Sequence, residues 1–225
     1  MMTTSHADFV GVAQAAVIPK IEYASCYVYS PTGTAAVCER SRLLRTLLKT
    51  GDAAFMLKYA FRVRQQAEES AHLAGFFGAH DVLVPVPGSA PRAVGDPWAA
   101  ADLALALLDQ GLGGEAWPGL CRVRAVRKSA TSARGRRPTV RVHYESFDIE
   151  RPPMPPEKIL LIDDVVTKGR TLLAAASRLH EAFPHAQIRA FALVRTLGLV
   201  AGVEQLLDPC KGEIRWRAGD AHRIP

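Results

Sequence analysis

Residues 159–171 read ILLIDDVVTKGRT. Four aliphatic residues lead into two adjacent acids, Asp163 and Asp164. Two valines follow, then a short run holding Thr167, Gly169 and Thr171. An aliphatic run bounded by a turn is the pattern of a buried strand. Two neighbouring carboxylates at its end repel each other and bury nothing, so their position there points to a ligand. Beyond them Leu172, Ala176, Leu179 and Phe183 recur on one helical face, so residues 171–182 read as a helix. The stretch is strand, acidic turn, helix.

The same alternation extends in both directions. Downstream, IRAFALV (188–194) is the next strand. Upstream, RPPMPP (151–156) is a stiff extended spacer, and DVLVPVP (81–87) is a short buried strand followed by the loop GSAPRAVG (88–95). Asp96 and Pro97 are expected to open a helix that Gly111 ends. CRVRAV (121–126) and TVRVHY (139–144) alternate and read as two strands around the basic loop 127–138. Nearer the start, IEYASCYVYS (21–30) is a strand closed by Pro31-Thr32-Gly33. ERSRLLRTLLK (39–49) is a helix, and Asp52 caps a longer one over about 53–77. Residues 1–20 carry no pattern and read as a disordered N-terminus. Strands alternating with helices imply an α/β fold: a mostly parallel twisted sheet with helices on both faces.

Composition narrows the function classes. With 225 residues and 48% hydrophobic content the chain can bury a sizeable core. No apolar run approaches the ~20 residues that cross a bilayer, and the start has no basic leader pattern. Cys26, Cys38, Cys121 and Cys210 form no CxxC pair, and the seven histidines show no metal-ligand spacing. A cytoplasmic location follows as the expectation. The net charge is +6, and between Arg122 and Arg141 eight basic residues occur with no acid. That excess suits a polyanion, either nucleic acid or a phosphorylated small molecule.

The opening stretch favours the small molecule. Ligands of such sheets bind beyond the carboxyl ends of the strands. A helix start presents free N–H groups and a positive dipole end to a phosphate. Gly169 would let the backbone approach, and Thr167 and Thr171 bring hydroxyls. Carboxylates accept hydrogen bonds from sugar hydroxyls and help hold a hydrated Mg²⁺. Vicinal hydroxyls one sugar away from a phosphate describe a ribose 5-phosphate.

ILLIDDVVTKGRT resembles the motif by which type I phosphoribosyltransferases bind 5-phosphoribosyl 1-pyrophosphate (PRPP). Lys168 is the departure, where that family has a small residue or Arg. VPVPGSAPR is similar to the pyrophosphate loop of the ComF-like subgroup, RVRAVRKSATSARGRRPTVRVHYESF to its basic hood, AFALVRTLG to its last strand, and LLRTLLKTGD to the helix and turn before the VPVP strand. The subgroup's N-terminal zinc module is absent, and the hood lacks its usual Gln and Asn.

The resemblance implies an N-terminal strand and helix segment (21–78), a phosphoribosyltransferase-like core (79–198) with a flexible hood, and a C-terminal segment (199–225) that carries no readable motif. It implies catalytic roles for Asp163 and Asp164, which would also hold Mg²⁺ indirectly. Val166, Thr167, Lys168, Gly169, Arg170 and Thr171 would bind the 5-phosphate. Gly88, Ser89 and Arg92 would meet pyrophosphate, and Lys128, Arg134, Arg136 and Arg137 would close over it. The implied reaction transfers 5-phosphoribosyl to an unidentified nitrogen acceptor and releases pyrophosphate. The alternative is a PRPP-sensing or competence-like regulator without turnover, with nucleic acid as a less favoured partner. A homodimer is one assembly open to such a chain.

Overall fold

The structure is a computed structural model that describes residues 17–127, 137–198 and 203–225. Its first strand, β1 (Lys20–Tyr29), is buried along nearly its whole length. The core begins before it: Val17 and Ile18 pack on buried residues, and the Ile18 N–H donates to Ser177 Oγ at 3.2 Å. Order therefore starts before residue 21, and the rest of the expected disordered N-terminus, 1–16, lies outside the described residues.

Two helices follow, α1 (Ala36–Leu48) and α2 (Ala53–Glu69). Asp52 caps α2, accepting from the Phe55 N–H at 2.8 Å. The helix ends at Glu69, short of the expected 77, and the next residues turn so that Leu73 and Phe76 bury. After β2 (Val82–Pro85) comes α3 (Ala99–Asp109). Asp96 does not cap α3. Its carboxylate closes the preceding loop by accepting from the Ala93 N–H at 2.7 Å, and Trp98 occupies the cap position.

β3 (Glu115–Ala116) and β4 (Leu120–Arg122) precede α4 (Val140–Ser146) and β5 (Phe147–Ile149). TVRVHY is thus a helix and not a strand. The Thr139 hydroxyl caps it, accepting from the Val142 N–H at 3.3 Å, and α4 packs on the next long helix. β4 pairs instead with β5, in a small antiparallel sheet of their own. The chain continues through β6 (Lys158–Val166), α5 (Arg170–Ala182) and β7 (Gln187–Thr196) to a hairpin, β8 (Leu207–Arg217) and β9 (Asp220–Ile224). The hairpin was not legible in the sequence.

The main sheet has the order β3-β2-β6-β7-β1-β8-β9. Its first five strands are parallel, and β8 and β9 add antiparallel at one edge. Successive β6 residues serve opposite faces, as strand pleating requires. Ile159 and Leu161 pack with α5, and Leu160 and Ile162 with α3. On the α5 side Trp117 also meets Phe183, ring centroids 5.8 Å apart. One strut spans β6: fully buried Asp81, just before β2, accepts from Arg189 of β7 with both carboxylate oxygens, at 2.7 and 2.8 Å, and from the Gly78 N–H at 2.8 Å. The fold is α/β with a mostly parallel mixed sheet and helices on both faces. No helix among the described residues is long and apolar enough to cross a membrane.

Candidate functional site

Connections leave β2 and β6 in opposite directions. From β2 the chain runs through α3 to β3 on one side. From β6 it runs through α5 to β7 on the other, across the opposite face. Such a switch point opens a crevice at the carboxyl ends of the two strands. Asp163 and Asp164 are the sixth and seventh residues of β6, so they extend the strand and do not begin the turn. β2 leaves beside them: the Val86 N–H donates to the Ile162 carbonyl at 2.8 Å. The loop of Gly88, Ser89 and Arg92 therefore starts next to the acidic pair.

The two carboxylates are partly committed locally. Asp163 Oδ1 accepts from the Asp164 N–H at 2.9 Å, and Asp164 Oδ1 accepts from the Val165 N–H at 2.8 Å. Burial, and then the neighbouring Asp164 charge, push the Asp163 carboxyl well above the usual carboxylate range. The hydrogen bond from the Asp164 N–H, and then the charge of Arg122, act the other way, and Arg122 is only 5% exposed. Arg122 donates to the Gly88 carbonyl and to Ser146 Oγ, and its guanidinium lies 4.3 Å from the Phe147 ring centroid. Burial pulls its pKa down to about 10, with the Asp163 charge acting the other way, so it stays cationic at neutral pH. Arg122 is thereby tied to the β2 loop while its charge acts on Asp163. Sequence reading counted it only as one of a basic run.

The rest of that loop is held by its own contacts. The Ser89 carbonyl accepts from the Val126 N–H at 2.7 Å. Arg92 stacks over Trp98 at 4.3 Å and donates to the Asp96 carbonyl at 2.8 Å, and Trp98 Nε1 donates to the Val86 carbonyl at 2.8 Å. Of the expected hood residues, Lys128, Arg134 and Arg136 lie outside the described residues. Arg137 is described and exposed.

Beyond the acids, Val166 is buried and Gly169 turns the chain into α5 with φ +84°. Here the structure gives Gly169 a reason that the sequence did not. A Cβ at this position would lie 2.6 Å from Ile214 Cδ1 of β8, so glycine is needed for packing as well as for the left-handed turn. Gly169 is buried under the hairpin. The Thr167 hydroxyl meets that of Thr196 at 3.2 Å, and Thr171 is half-buried at the helix start.

Lys168 and Arg170 both turn to one carboxylate. Asp220 Oδ2 accepts from Lys168 Nζ at 3.1 Å and from Arg170 Nη2 at 2.6 Å, and its Oδ1 accepts from Arg170 Nε at 2.5 Å. The Arg170 guanidinium beside Asp220, more than Lys168, holds that carboxyl well below the usual range. Arg223 of the same strand donates to the Thr167 carbonyl at 2.8 Å, the Thr196 carbonyl at 2.6 Å and the Tyr23 hydroxyl at 3.0 Å. Asp220 and Arg223 lie about 50 residues or more from the loop they hold, so no local pattern marks them.

His143 of α4 is the other residue that sequence reading passed over. It is buried, and neither ring nitrogen has a hydrogen-bond partner. Burial, and then the charges of Arg122 and Arg170, pull its pKa down to about 4. Among the described residues no cluster of three or more His, Cys, Asp or Glu could hold a metal ion. Two carboxylates alone suit a hydrated Mg²⁺ that takes its other ligands from a bound polyphosphate. No protein-family model matches the chain, and no curated protein matches it.

Proposed function

We propose that this protein has a type I phosphoribosyltransferase-like fold and site, binds PRPP with Mg²⁺, and transfers its phosphoribosyl group to a nitrogen acceptor. The supporting observation is the placement of Asp163 and Asp164 at the switch point between β2 and β6, with a left-handed glycine and a helix start directly after them. In this reading the carboxylates of Asp163 and Asp164 accept from the ribose hydroxyls and fix the sugar. The amides of residues 167–171 take the 5-phosphate. Gly88, Ser89 and Arg92 take the pyrophosphate, and Lys128, Arg134, Arg136 and Arg137 cover it. Asp163 and Asp164 would hold Mg²⁺ through water, and the ion would supply charge neutralisation to the pyrophosphate.

The reaction breaks the bond from ribose C1 to the pyrophosphate oxygen, whose electrons leave with pyrophosphate. A nitrogen lone pair forms the new bond at C1, and the nitrogen then sheds its proton. Charge develops on the leaving oxygens, so the cations around the β2 loop would stabilise the transition state more than the ground state.

Calorimetry tests the binding step. A hydrogen bond to a charged group is worth ~1.5–3 kcal/mol, so Asp163→Asn or Asp164→Asn should weaken Mg²⁺-dependent PRPP binding by roughly 10- to 150-fold. Unchanged affinity in both variants would remove the ribose-binding role. Pyrophosphate release across a panel of purines, pyrimidines and simple amines tests turnover. Tight PRPP binding with no release for any acceptor would make the protein a sensor of PRPP.

A further inference from the structure

Lys168 and Arg170 are the two cations of the candidate phosphate loop, and both are already engaged by Asp220. The Arg170–Asp220 pair is bidentate, and both side chains are 22% exposed, so solvent screens it only partly. Lys168 is 54% exposed and adds less. Covering contacts come from the same hairpin. Ile214 closes over Gly169, and Arg223 holds the Thr167 carbonyl. A phosphate that recruits Lys168 and Arg170 at the start of α5 has to take them from a carboxylate.

We propose that Asp220 is an internal competitor for the anion loop, and that the β8–β9 hairpin gates it. A phosphate-bearing ligand binds by taking Lys168 and Arg170 from Asp220, which releases β9 from the loop. The inference rests on reading residues 166–171 as a phosphate site.

This arrangement selects for charge. A phosphate dianion offers the cations more charge and more acceptor oxygens than one carboxylate, so it can win the exchange. Chloride or acetate cannot. Loss of the Asp220 carboxylate frees β9 at the point where Arg223 also braces the carbonyl ends of β6 and β7.

Two measurements on the full chain test the gate. Calorimetry with inorganic phosphate compares wild type with Asp220→Asn, which keeps the side-chain oxygen that accepts from the Ala221 N–H. The variant should bind phosphate about tenfold more tightly, equivalent to ~1.4 kcal/mol. Equal or weaker binding would make Asp220 a brace for the cations and overturn the gate. The second measurement needs no variant. Phosphate should speed amide hydrogen exchange at residues 221–224 in the wild type, and slower or unchanged exchange would also overturn it.

PRPP and ribose 5-phosphate, each with Mg²⁺, separate this inference from the reading beneath it. If phosphate opens the hairpin but PRPP binds no tighter than ribose 5-phosphate, the gate stands and the PRPP reading falls. If PRPP binds both proteins equally tightly with no change in exchange, the PRPP reading stands and the gate falls. If neither protein binds any of these anions, both fall.

Discussion

Asp163 sets stability against its proposed binding role. Its carboxyl pKa is raised by burial and by Asp164, so the folded state retains a proton that the unfolded chain releases near pH ~3.9. Its contribution to stability is therefore lost as pH rises from that value through the folded pKa. Asp163→Asn removes the penalty at neutral pH. We expect its Tm to rise at pH 7, by about 2–4 °C for each kcal/mol relieved in a chain of this size, even as PRPP affinity falls. A lower Tm would mean that the carboxylate is stabilised by more than its surroundings account for. His143 works in the opposite direction over an overlapping pH window. Its folded pKa of about 4 lies below the ordinary value of 6.5, so acidification from pH ~6.5 to ~4 protonates the unfolded chain first and lowers stability. That gap corresponds to roughly 3 kcal/mol at the acid end. His143→Leu removes an unpartnered polar group from the core, so it should be neutral or stabilising by about 1–2 kcal/mol at pH 7. In urea titrations from pH 7 down to pH 4 the variant should lose less stability on acidification than the wild type does. A loss equal to wild type would place the acid sensitivity elsewhere.

Gly169 links β6, α5 and β8, and its replacement is a test of packing before it is a test of binding. A left-handed alanine costs ~1–2 kcal/mol and the forced contact with Ile214 ~1–3 kcal/mol more, so Gly169→Ala should destabilise by roughly 2–5 kcal/mol. Adding Ile214→Ala should be less damaging than the sum of the two changes, because the contact that Ile214 makes is then already gone. Additive losses in the double variant would show that backbone strain alone makes the position glycine. The elements themselves were legible where one pattern dominated. β1, β2, β6, α5 and β7 follow from aliphatic runs and a 3.6-residue stripe. TVRVHY misled because its apolar residues alternate like a strand. The Thr139 cap and the packing of α4 on α5 outweigh a β preference that depends on context. β8 was hidden for the opposite reason, since Pro209 and Gly212 interrupt it. The structure accommodates both. Pro209 falls where the register with β1 shifts between Ser25 and Tyr27. Gly212 lies where a Cβ would be 2.1 Å from the Ile224 carbonyl oxygen. The acidic pair and its turn could be read locally. Arg122, Asp220 and Arg223 could not, because their meaning comes from residues distant in sequence.

Across the whole molecule the sheet is protected at both ends. β3 is only two residues long, and β9 carries Asp220, His222 and Arg223, so neither edge offers a long apolar strand for pairing. Between these edges the chain distributes its three tryptophans among separate regions. Trp117 meets Phe183 on the α5 face, Trp216 belongs to the hairpin, and Trp98 stands on the β2 loop beneath the Arg92 guanidinium. The stacked cation makes Trp98 a fluorophore whose surroundings change when Arg92 leaves it. Pyrophosphate drawn to Arg92 should therefore shift the intrinsic emission of the wild type, and Trp98→Phe should remove most of that shift while Trp216→Phe leaves most of it in place. An emission spectrum indifferent to pyrophosphate would separate Arg92 from the ligand. The loop thus carries its own optical probe, and its occupancy can be followed in real time without attaching a dye.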